Sequence, residues 1–104
     1  MNTDHRDNRL ASELKDAAAI FINRESNRRS LITVTRVELE DAGKKARIYV
    51  SVYPKDQTHA VTDFLSRQSD EFRSFLKSKT RLHVLPRAVF LPDPDMGVDD
   101  TPSA

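Results

Sequence analysis

At 104 residues, with 38% hydrophobic and 32% charged side chains, the chain has enough material for one small core and not for a second. It has no Cys, which excludes a disulfide framework and a thiolate metal site, and no apolar run near the roughly 18 residues that cross a membrane. The net charge of +1 is unevenly spread: Asp93, Asp95, Asp99 and Asp100 stand in a final segment without Lys or Arg, so residues 1–92 hold all 17 basic residues against 12 acidic ones. A moderately basic domain with a short acidic tail is compatible with nucleic-acid binding. The opening MNTDHRDNRL has no apolar signal-peptide core, and a cytoplasmic location is the expectation.

Leu10, Leu14, Ala17, Ala18 and Phe21 recur at the spacing of one helical face, with Asp7 or Asn8 as the expected cap and the polar run 23–29 as the end. Residues 1–8 are expected to be a flexible lead-in. Two runs rich in Val, Ile, Thr and Tyr follow, 31–39 and 45–53, joined around Gly43, which spells a β-hairpin. In the second run Ala46, Ile48, Val50 and Val52 share one face and Arg47, Tyr49, Ser51 and Tyr53 the other. The first run alternates imperfectly, because Leu31, Val37 and Leu39 fall opposite Ile32 and Val34. A bulge or a segment covered on both faces would account for it.

Pro54 closes the hairpin, and Asp56 or Thr58 is the expected cap of a helix carrying Ala60, Val61, Phe64 and Leu65. The pattern breaks at Arg67-Gln68-Ser69-Asp70, where Ser69, Asp70 and Glu71 look like a new helix start for Phe72, Phe75 and Leu76. The apolar run 82–91 reads as a strand, and Pro86 within it demotes it to an edge strand or one with a bulge. The order α-β-β-α-α-β predicts an α+β domain over residues 9–93, a three-stranded sheet with its helices on one face. Residues 94–104 read as an acidic, flexible tail.

Catalytic and metal chemistry find little support. Gly43 and Gly97 are the two glycines, so no Gly-rich phosphate cradle exists, and His5, His59 and His83 lack metal-ligand spacing. The acidic pairs Glu40-Asp41 and Asp70-Glu71 fall at a turn and a helix start, where capping explains them. The expectation is a protein that is not an enzyme, without cofactor, metal, small-molecule substrate or membrane partner. Phe64, Phe72, Phe75 and Phe90 are at core spacing, which leaves Tyr49 and Tyr53 as the candidate exposed aromatics. Arg67, Arg73, Lys77, Lys79 and Arg81 bracket the third helix, Arg28 and Arg29 precede the first strand, and Lys44, Lys45 and Arg47 mark the hairpin.

The helix over Leu10–Phe21, the strand ITVTRVEL with Asp41 after it, the strand KARIYVSV, and the pieces FRSFL and RLHVLP, ending in Phe90 and Asp93, occur in an order that resembles the ribosome-binding factor A family. The resemblance spans about residues 9–93. It implies a type-II KH-like fold and a monomeric cytoplasmic factor that binds the small ribosomal subunit through its ribosomal RNA. It also implies a part in late subunit maturation and rRNA processing, and in growth after cold shock. Where that family has an Ala-x-Gly kink between helices, this chain has Gln68-Ser69-Asp70. With the resemblance, RNA contact is expected at Arg67, Ser69, Arg73, Lys77, Lys79 and Arg81, with Arg28, Arg29, Lys44 and Lys45 as the other basic end. A general single-stranded RNA-binding KH module, or a protein-interaction module with an acidic tail, are the alternatives.

Overall fold

The computed structural model describes residues 3–25, 30–82 and 85–94, with side chains from residue 9 onward. In chain order the elements are α1 (Thr3–Glu25), β1 (Leu31–Glu40), β2 (Lys45–Tyr53), α2 (Thr58–Arg67), α3 (Ser69–Lys79) and β3 (Arg87–Pro92). The sheet order is β1-β2-β3; β1 and β2 are antiparallel and β2 and β3 parallel. The expected α+β order and three-stranded sheet are therefore present, and the sheet is mixed.

One core holds the structure together. Ala46, Ile48, Val50 and Val52 of β2 and Ala88 and Phe90 of β3 are buried together with Leu14, Ala18 and Phe21 of α1, Leu65 of α2 and Phe72, Phe75 and Leu76 of α3. All three helices thus cover the same side of the sheet, the face that the period-two pattern of β2 marks as apolar. Phe72 is fully enclosed, tilted against Phe21 at 5.2 Å between ring centroids and edge-on to Phe90 at 5.6 Å. Phe64 departs from the expectation: it is half-buried, beside Ile32, Val61 and Leu65 in a second groove of about 310 Å³ between β1 and α2.

The imperfect alternation of β1 has a definite cause. The register shifts between Val34, opposite Val50, and Arg36, opposite Tyr49, so Thr35 is the extra residue of a bulge. The bulge flips side-chain parity, and Ile32, Val34, Val37 and Leu39 all pack on the core while Leu31 is left exposed. The Thr35 hydroxyl lies within hydrogen-bond reach of the Tyr49 carbonyl and the buried Asp93 carboxylate, and the Asp93 N–H donates to the Val50 carbonyl at 2.9 Å. The irregular residue thereby ties the end of β3 across β2 to β1.

Other boundaries differ from the sequence expectation. Helix α1 starts at Thr3, one to two turns before the expected cap at Asp7 or Asn8. Gln57 and Gln68 occupy the N-cap positions of α2 and α3 without side-chain capping bonds, so neither Asp56, Thr58 nor Ser69 is the expected cap. Strand β3 begins just after the buried Pro86, at the sheet edge, and not at Leu82. Arg28, Arg29, His83 and residues 95–104, with most of the expected acidic tail, lie outside the described residues.

The hairpin connection is a 3-10 turn, Asp41–Gly43, in which Asp41, Ala42 and Gly43 all have positive φ. At Gly43 (φ +85°) an added Cβ would also stand 3.4 Å from Leu10 Cδ2. We expect Gly43→Ala to lose about 1–2 kcal/mol, the usual penalty of a left-handed backbone for a residue with a Cβ, read as a lower denaturant midpoint. An unchanged midpoint would mean that the turn relaxes to another geometry.

Candidate nucleic-acid interface

The outer face of the sheet, which no helix covers, carries Arg36 and Arg47 together with Tyr49 and Tyr53. It is largely self-satisfied. Arg36 pairs with Glu38 at 3.4 Å, and Arg47 lies 3.8 Å from Glu38 and forms a close ion pair with Glu40. A hydrogen bond with Tyr49, and then the Glu40 carboxylate, hold the Arg47 guanidinium above its ordinary value. Tyr49 is buried, with the Arg36 guanidinium 4.5 Å over its ring, so it is not the exposed aromatic that the strand pattern suggested. Tyr53 is, at 71% exposure.

Unneutralised charge gathers instead where the α2–α3 kink meets β3. Gln68 is at once the C-cap of α2 and the N-cap of α3; its N–H donates to the Leu65 carbonyl and its carbonyl accepts from the Phe72 N–H. This one residue redirects the chain. Ser69 Oγ then donates to the Ala88 carbonyl at 2.8 Å, pinning the start of α3 to β3. In the parallel ladder Lys45 stands opposite Arg87, on the same row as Glu40 of β1. The kink and this row enclose a cleft of about 360 Å³. Its cations are Lys45, Arg47, Arg73 and Arg87, its carboxylates Glu40 and Asp70, and its apolar lining includes Pro86, Ala88 and Val89.

The structure therefore joins Ser69 and Arg73 of α3 to Lys45 of the hairpin, which are far apart in sequence. Among the described residues Lys45, Arg73 and Arg87 form no ion pair, whereas Arg47 is committed to Glu38 and Glu40. Lys77 lies one turn beyond Arg73 on α3, and Lys79 and Arg81 follow at its end; all are exposed and none lines the cleft. Arg67, in the last turn of α2, and Lys44, after the turn, are exposed and outside it as well. Arg87 was absent from the expected site. Its place there depends on parallel pairing of β3 with β2, which no local pattern announces. Among the described residues no group of three His, Asp or Glu is arranged to hold a metal ion, and no helix is long and apolar enough to cross a membrane.

The family model of ribosome-binding factor A matches residues 6–99. The chain belongs to the ribosome-binding factor A family. A curated ribosome-binding factor A from Carboxydothermus hydrogenoformans is 31% identical over 96 residues, covering 88% of this chain and 76% of that protein. The crystal structure of ribosome-binding factor A from Thermus thermophilus superposes with a TM-score of 0.73 at 30% identity, over 83% of this chain and 94% of that one. A homology model of the Thermus thermophilus factor, fitted into the cryo-electron microscopy map of its complex with the 30S subunit, gives a TM-score of 0.68 at 30% identity, over 78% and 88% of the two chains.

Proposed function

We propose that this protein binds the small ribosomal subunit through its ribosomal RNA and assists late maturation and rRNA processing without catalysing a reaction, as a cytoplasmic monomer that supports growth after cold shock. The observation that carries this reading is the concave site at the kink, where Lys45, Arg73 and Arg87 converge without anionic partners among the described residues. Lys and Arg side chains in such a cleft bind RNA phosphates by charge-assisted hydrogen bonds, which fix the register of an RNA on the protein. The neutralised outer sheet face offers no comparable attraction. Membership of the family, and the fit of the Thermus thermophilus factor in a 30S complex, support the choice of partner.

Binding through shape and phosphate requires no active-site nucleophile or metal. The test is co-sedimentation with purified small and large subunits, using small subunits from mature and from immature pools. We expect association with small subunits, stronger for the immature pool and weakened by added salt. Absence from the small-subunit fraction at low salt would remove the reading.

A further inference from the structure

We infer that the cleft between the α2–α3 kink and β3 holds an unpaired guanine, read by the Asp70 carboxylate, in addition to the phosphates that flank it. This rests on the reading of the protein as an RNA-binding factor and adds base selectivity to it. A surface that met phosphates alone would have no use for two features of this cleft. One is its apolar lining, of which Val89 is 40% exposed while Pro86 and Ala88 are buried beside it. The other is Asp70, a carboxylate set among cations that are the site's means of attracting RNA.

Asp70 makes no hydrogen bond or ion pair among the described residues, whereas the cleft's other carboxylate, Glu40, is occupied by Arg47. Its place in the first turn of α3 suits the helix dipole, but Glu71 supplies that charge equally and does not line the cleft. Asp70 is exposed and lines the cleft, so its carboxylate is open to a ligand that enters there. An ionised carboxylate only accepts hydrogen bonds and can take two in parallel. Guanine presents two adjacent N–H donors on its Watson–Crick edge, at N1 and N2. Adenine and cytosine each present one donor beside an acceptor, and uracil one donor between two acceptors. Arg73 and Arg87 offer guanidinium planes for stacking, as single-stranded RNA recognition commonly uses. A cleft of about 360 Å³ falls in the range of small-ligand sites, roughly 300–1,000 Å³.

The test uses fluorescence anisotropy with a short, unstructured uridine strand carrying one central guanine, adenine, cytosine or inosine. We expect the guanine strand to bind about tenfold more tightly than the adenine or all-uridine strand, the size of one bidentate base contact. Inosine, which lacks the 2-amino donor, should lose most of that preference. Asp70→Asn should abolish the preference without weakening binding of the all-uridine strand, because it removes a negative charge. Glu71→Gln, which changes the same helix turn outside the cleft, should retain it, and melting curves establish that both variants are folded. Equal affinity for guanine and adenine strands, a cytosine preference, or a guanine preference that survives Asp70→Asn would each overturn the inference while leaving subunit binding intact. Failure to bind any strand, together with failure to co-sediment with the small subunit, would overturn the RNA-binding reading as well.

Discussion

Phe72→Ala is expected to lower stability by about 3–5 kcal/mol, a large part of the roughly 5–15 kcal/mol that holds a small domain folded. Phe72 is fully buried and sits where α1, α3 and β3 meet, in ring contact with Phe21 and Phe90. Truncation would leave a cavity bounded by elements that cannot all close over it, because each is fixed by other contacts: α1 through Leu14 and Phe21, β3 through its ladder with β2. Denaturant unfolding should show a much lower midpoint with little change in slope. Phe64→Ala should cost clearly less, since Phe64 packs at the margin of the core beside a groove and part of its surface is already in water. Equal losses at the two positions would contradict the placement of the core.

Much of this fold is legible in the sequence, for reasons that differ from element to element. The apolar face of α1 and the alternation of β2 are periodic signals from long elements, each with one dry side, and both survive in the structure. The irregularity of β1 was visible, but its cause lies in tertiary contacts: Thr35 is accommodated by Tyr49 on the neighbouring strand and by Asp93 from the far end of the chain. Helix capping departs from the sequence expectation because Thr58 and Ser69 have the right chemistry for caps yet are used otherwise. Thr58 donates to the Lys55 carbonyl, closing the 3-10 turn before α2, and Ser69 donates to Ala88 on β3.

The candidate site was legible only in part for the same reason. Local charge counting picked out Arg73 and Lys45 but set them in two separate clusters, since nothing local says that the hairpin base and the kink are neighbours. Charge counting by itself does not separate Arg47 from Lys45, whereas the structure does: Glu38 and Glu40 on the paired strand engage Arg47. Cross-strand register decides which cations stay available to a ligand, and register follows from the whole sheet.

That distinction leads to the largest functional effect we expect. A triple variant of the cleft, Lys45→Ala, Arg73→Ala and Arg87→Ala, should bind the small subunit at least about a hundredfold more weakly, since three charge-assisted contacts at even about 1 kcal/mol each amount to that. The salt dependence should change with it. Each phosphate contact contributes about 0.7–0.9 to the slope of log affinity against log salt, so losing three should reduce its magnitude by roughly 2. The matching variant of α3 and its end, Lys77→Ala, Lys79→Ala and Arg81→Ala, removes the same number of charges from exposed positions outside the cleft. It alters the long-range field equally and should reduce affinity less, because screened charges without a concave partner surface hold phosphates weakly. Both sets are surface substitutions at exposed positions and should leave the unfolding midpoint nearly unchanged. If the α3 variant lost more binding than the cleft variant, the RNA would lie along that helix, as the charge pattern of residues 67–81 by itself suggests. If neither lost binding, the contact would move to the Arg28–Arg29 and Lys44 end of the domain, and the cleft at the kink would have no part in holding the subunit.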